Sequence, residues 1–106
     1  MTKPVYLLCL FYKTLAENDA LVREAREEVA ALCGKDFEIL GFGEHQCALA
    51  FSTDLDPAIL AARFEKIHGE KLHSFLVCVQ SIVAGSTYPK PWQWFARHLP
   101  RGLPKS

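Results

Sequence analysis

The run Val5-Tyr6-Leu7-Leu8-Cys9-Leu10-Phe11-Tyr12 holds eight residues without a charge, most of them branched or aromatic. A membrane helix needs ~20 apolar residues, so a run this short and this rich in strand formers predicts a central β-strand. Successive side chains of a strand point to opposite faces. Val5, Leu7, Cys9 and Phe11 therefore go one way, and Tyr6, Leu8, Leu10 and Tyr12 the other. Both sets are apolar, so both faces require a cover. Helices account for one; the identity of the second cover is the functional question the chain raises.

The 106 residues suit one compact domain, and with 50% hydrophobic residues they can build a conventional core. Basic and acidic side chains balance at 12 each, which gives no overall attraction to a phosphate backbone and no acidic mimicry of one. The charge is unevenly placed. Residues 89–106 carry Lys90, Arg97, Arg101 and Lys105 without an acid, which leaves 8 of the 12 basic residues beside all 12 acidic ones in residues 1–88. Cys9, Cys33, Cys47 and Cys78 are widely spaced and form no paired ligand motif. Their even count permits two disulfides in an oxidising compartment, while buried free thiols in a reducing cytoplasm fit their apolar surroundings better. No signal-like leader, membrane-length apolar run or internal repeat is visible.

Downstream, Leu21, Val22, Ala25, Val29, Leu32 and Cys33 recur at helical spacing, with Arg23, Glu24, Arg26, Glu27 and Glu28 on the outer arc as a solvated face. Asn18 or Asp19 is the expected N-cap and Gly34 the expected stop. Phe37–Leu40 and Gln46–Phe51 read as two strands of a hairpin joined through Gly41 and Gly43. Asp56-Pro57 is a helix start, with Ile59, Leu60, Phe64 and Ile67 on one side until Gly69. Phe75–Val79 is a further strand, extendable to Val83 before Gly85.

The order strand, helix, strand, strand, helix, strand is the split arrangement of ferredoxin-like α+β sandwiches: a four-stranded antiparallel sheet with both helices on one face. Residues 1–88 are assigned to this domain and residues 89–106 to a C-terminal aromatic, basic helix and tail. The first and third strands are expected at the centre. Val5, Leu7, Cys9, Phe11, Cys47, Leu49, Phe51, Phe75 and Val77 are expected toward the helices, and Tyr6, Leu8, Leu10, Ala48, Ala50, Leu76 and Cys78 away from them. An uncovered apolar face of that extent is unusual in a soluble monomer. Tyr6, Leu8, Leu10, Tyr12, Ala48 and Leu76 are therefore the candidate interface or ligand-cavity residues.

Pro91 opens and Pro100 closes a short helix in the tail. A helical wheel places Trp92, Phe95, Ala96 and Leu99 on one side and Trp94 nearly opposite, beside Arg97 and His98. Docking the first side on the body leaves Trp94 outward. Tryptophan and arginine are common interface anchors, so Trp94, Arg97, His98 and Arg101 are candidate partner contacts.

Catalytic and cofactor chemistry leaves no mark. His45, His68, His73 and His98 lack chelating spacing, the cysteines lack a nucleophile–base pattern, and the glycines form no phosphate loop. No catalytic residue, metal or cofactor is assigned. Val5–Leu10 is similar to the first-strand signature of the RNA recognition motif, with Tyr6 at the base-stacking position and Cys9 in place of the usual asparagine or glycine. The third strand departs from that family. Gln46 and Ala48 stand where it has stacking aromatics, and Glu44 where it has Lys or Arg, so nucleic-acid binding is disfavoured. Acylphosphatases place a glycine-containing phosphate loop with an arginine after the first strand, and CRISPR-associated nucleases of this size an aspartate at its end; Tyr12-Lys13-Thr14 supplies neither. Dimeric α+β-barrel proteins share the topology, and in such an arrangement Tyr6, Tyr12 and His73 would line a cavity. The expected function is a non-catalytic protein-interaction or regulatory module, cytoplasmic, with a protein partner or a second copy as occupant. A dimeric small-molecule-binding protein or enzyme is the alternative, and a nucleic-acid-binding domain a third.

Overall fold

The computed structural model describes residues 3–67, 72–82, 85 and 89–99. Its elements are β1 (Val5–Tyr12), α1 (Leu15–Cys33), β2 (Phe37–Phe42), β3 (Gln46–Ser52), α2 (Pro57–Phe64), β4 (Leu72–Val79) and α3 (Pro89–His98). The strands form one antiparallel sheet in the order β2-β3-β1-β4. With the two crossover helices on one face, this is the ferredoxin-like βαββαβ arrangement, and α3 is an addition to it.

Local chemistry explains where the elements begin and stop. The α1 helix starts earlier than the apolar periodicity indicates, because Thr14 is the N-cap and its Oγ1 accepts from the Glu17 backbone N–H. Asn18 instead lies buried within the first turn, its Nδ2 donating to the Thr14 carbonyl at 2.9 Å. Gly34 ends the helix at φ 66°, a left-handed conformation that favours glycine, and returns its N–H to the Ala30 carbonyl. Asp56 caps α2 through Ala58 N–H ahead of Pro57. Beyond Phe64 the chain tightens into a turn that carries Ile67 into the core. The helix thus ends at Phe64, ahead of the expected stop at Gly69, and the last strand ends at Val79, with Gln80–Ile82 not in strand, short of the expected extension to Val83; Gly69 and Val83 themselves lie outside the described residues.

The principal core lies between the sheet and α1/α2. Tyr6, Leu8, Leu10 and Tyr12 of β1 pack there with Cys47, Leu49 and Phe51 of β3, Leu72 of β4, and Val22, Ala25, Val29, Leu60, Phe64 and Ile67. This inverts the expected orientation of β1. The register pairs Tyr6 with Phe51, Leu8 with Leu49 and Leu10 with Cys47, so even-numbered β1 residues share a face with odd-numbered β3 residues. The same holds for β4, where Tyr6 opposes Cys78 and Leu8 opposes Leu76. Tyr6, Leu8, Leu10, Tyr12, Leu76 and Cys78 therefore face the helices, and of the residues expected to point away only Ala48 and Ala50 lie on the outer face. On α2, Ile59 is exposed rather than part of the buried stripe.

A second, smaller core lies on the opposite face. Trp94, Phe95 and Leu99 pack on Val5 and Ala50, with Leu7, Leu40, Val79, Ile82 and Trp92 around them. The helix α3 is thus the partial second cover for the sheet.

Candidate functional site

Cross-strand pairing lays out the outer face in rows. One row runs Glu38–Ala50–Leu7–Val77, the next Gly41–Ala48–Cys9–Phe75, and the last Gln46–Phe11–His73. The small side chains of β3 leave a trough between the larger ones of β1 and the bulged end of β2. Trp94 and Phe95 fill it at the Ala50 end. At the Ala48 end it is open, a groove of about 350 Å³ lined by Cys9, Phe11, Leu40, Gly41, Gln46 and Ala48, among others.

Beside that groove stand Phe11, Phe75 and Val77, which are 43%, 58% and 45% exposed. The rings of Phe11 and Phe75 meet edge to face at 6.0 Å. None of the side chains in the two rows beyond α3 is an acid, lysine or arginine. The half-covered sheet therefore ends in an uncharged apolar platform. Its floor is held rigidly: the Tyr12 hydroxyl, beneath on the helix side, donates to the Gly43 carbonyl at 2.6 Å and reaches the Gln46 carbonyl at 3.0 Å. Tyr12 N–H also donates to the His45 carbonyl, and His45 Nδ1 lies 2.6 Å from the Lys13 carbonyl. The hairpin tip is thereby tied to the end of β1.

The tail anchors adopt a different arrangement from the one the helical wheel gave. Trp94 is 1% exposed; its Nε1 donates to Asp36 Oδ1 at 3.0 Å, and its ring stacks on His98 at 4.2 Å. Trp92 is the half-buried tryptophan and Ala96 the exposed residue. The stripes 92/95/96/99 and 91/94/95/98/99 are both helical faces and share Phe95 and Leu99. The carboxylate of Asp36, which gives the indole N–H a partner as it is buried, selects the second. His98 is partly buried, its Nε2 3.3 Å from the same Asp36 oxygen. Of the proposed partner contacts, Arg97 is exposed and Arg101 lies outside the described residues.

Three of the thiols, Cys9, Cys33 and Cys47, are held in their neutral form. Burial raises Cys9, and it is the largest cause pushing Cys33 and Cys47 up to about 11. A thiol is a poor nucleophile when protonated, so these three offer packing rather than chemistry at neutral pH. Cys9 and Cys47 belong to opposite faces of the sheet rather than to a shared core. Among the described residues, no three His, Cys, Asp or Glu side chains converge on a point where a metal would sit. Among them too, no helix is long and apolar enough to cross a membrane.

A second groove of about 400 Å³ runs between α2 and β4 on the helix side, with Tyr6, Leu60, Phe64, Leu76 and Cys78 among its walls. Burial, reinforced by Cys78 and Asp56, raises the Tyr6 hydroxyl above its ordinary value. Two of the expected cavity residues, Tyr6 and Leu76, reach this groove, while Leu8 and Leu10 are enclosed in the principal core. Phe75 and Val77, the most prominent platform residues, were expected inside. Both phases of β4 are apolar, so no signal in the sequence separated them.

Sheet order, crossover helices and the half-covered outer face define an α+β protein of ferredoxin-like fold. No protein-family model matches the chain, and no curated protein matches it in sequence. A crystal structure of a dimeric ferredoxin-like protein from an uncultured marine organism is similar to it, with a TM-score of 0.41 and 15% identity over 81% of this chain and 95% of that one.

Proposed function

We propose that the chain is a non-catalytic interaction or regulatory module that docks a protein on the uncovered half of its outer sheet face. The observation that carries this reading is the side-by-side exposure of Phe11, Phe75 and Val77 next to a helix that covers only the other half. A phenylalanine side chain offers ~200 Å² of surface, so these three residues leave roughly 250 Å² of apolar area in water. Burying it contributes ~6 kcal/mol at ~25 cal/mol per Å². Association itself costs ~4–15 kcal/mol, so a lasting complex has to engage the adjoining groove as well. The proposal does not retain Trp94 as an anchor, and a cytoplasmic setting with a protein partner or a second copy remains part of it.

The groove favours one other reading, an apolar small molecule seated over Ala48. Its volume falls at the lower end of the ~300–1,000 Å³ common for ligand sites. The two are separated by affinity capture from the native host, with Phe11→Ser and Ala48→Lys as controls. We predict that Ala48→Lys keeps the wild-type thermal melt, that Phe11→Ser lowers it while leaving the chain folded, and that both lose the captured protein. Capture of the same species by both would remove the platform from consideration.

A further inference from the structure

The two edges of the sheet differ in kind. At one edge, β2 is six residues long, carries Glu38, and breaks register between Ile39 and Gly41. Acidic side chains, bulges and short length are the devices that keep edge strands from pairing with other chains. At the other edge, β4 has none of them. Its eight residues, Leu-His-Ser-Phe-Leu-Val-Cys-Val, contain no Asp, Glu, Lys, Arg or proline and hold unbroken register with β1 throughout. Alternate residues of such a strand aim N–H and C=O away from the sheet, and no described residue pairs with that outer side.

We infer that the open edge of β4 pairs antiparallel with β4 of a second copy about a two-fold axis at Leu76. The inference deepens the proposed function and rests on it for the role of Phe75 and Val77. The occupant is a second copy because the strand complements itself. Centring the pair at Leu76 uses seven of the eight strand residues, from His73 opposite Val79 onward, and sets Phe75 against Val77 of the second copy on the outer face. On the helix face, Ser74 meets Cys78 and Leu76 meets its own counterpart. Aromatic and β-branched residues are favourable cross-strand neighbours, and an uncharged strand does not repel its copy. An isologous contact of this kind closes after two chains. The outcome is a continuous eight-stranded sheet in which the Phe11–Phe75–Val77 clusters merge across the axis. Each copy thus supplies residues to the other's docking platform, which alone is small.

The register is directly testable with the native Cys78. Opposed residues of an antiparallel pair have Cα atoms ~4.5–5.5 Å apart, inside the ~4.4–6.8 Å span of a disulfide. Within one chain, positions 74 and 78 lie roughly 13 Å apart along the strand and cannot bridge. Ser74→Cys is expected to give a covalent dimer on mild oxidation, whereas wild type and Ser74→Cys/Cys78→Ser give none. In sedimentation, wild type is expected to be a dimer. The Phe75→Lys/Val77→Lys chain, with like charges directly opposed, should dissociate roughly 100-fold more readily while still unfolding cooperatively as a folded monomer. A wild type that is monomeric at every concentration, a dimer indifferent to the two lysines, or a Ser74→Cys chain that stays uncrosslinked each overturns the inference. Failure of the docking platform reads out separately, because Ala48→Lys on β3, two strands from the edge, leaves the dimer intact and removes only the captured protein.

Discussion

Replacing Trp94 with alanine removes the largest fully buried side chain and opens the small core on the outer face. Three losses combine. The indole leaves a void among Val5, Ala50, Phe95 and Leu99; its edge-to-face contact with Phe95 at 5.4 Å and its stack on His98 at 4.2 Å disappear; and Asp36 loses a donor at 3.0 Å. Truncating a buried aromatic to alanine costs ~3–5 kcal/mol. For a chain of this length that corresponds to roughly 15–20 °C in melting temperature, a large share of typical domain stability. Trp94→Phe separates the terms, since it keeps most of the packing and gives up the hydrogen bond; we predict a loss of ~1–2 kcal/mol. Half-buried Trp92→Ala is expected to cost ~1 kcal/mol. Urea unfolding followed by circular dichroism measures all three. If Trp92→Ala proves as costly as Trp94→Ala, or Trp94→Ala costs under ~1 kcal/mol, α3 does not cover the sheet in the way described.

Two further predictions address the hairpin and the buried thiol. Tyr12→Phe removes the hydroxyl that donates to the Gly43 and Gln46 carbonyls, so stability should fall by ~1 kcal/mol and the Gly43 amide should exchange faster; unchanged exchange there would show that the tip needs no tether. Cys47 is raised from 9.0 to about 11, chiefly by burial, so its neutral thiol supports the fold fully below pH 9 and loses that contribution as pH climbs through 11. The stability advantage of wild type over Cys47→Ala should accordingly shrink by up to ~3 kcal/mol across that window in alkaline unfolding curves, and a constant gap would contradict the assignment.

The sequence by itself determined the elements and their order. Charge-free runs marked β1, β3 and β4, the 21/22/25/29 repeat marked the buried side of α1, and Asp56-Pro57 and Gly34 placed a start and a stop that the structure retains. These signals are local: a cap, a proline or a period acts within a few residues of itself. The N-terminus of α1 was missed because Thr14 caps through a single side-chain oxygen, well before Leu21, where the periodic apolar positions begin.

Only the tertiary structure decided which way β1, β4 and α3 face. A strand that is apolar on both sides reads the same in either phase, and one residue of register turns Tyr6 inward and Phe11 outward. In α3 two overlapping stripes compete, and the choice falls to Asp36, 58 residues away in the chain, which supplies the acceptor for the buried indole. Periodicity fixes spacing along one element, whereas orientation is settled by the pairing of distant ones. The exposed platform of Phe11, Phe75 and Val77 is a product of that pairing.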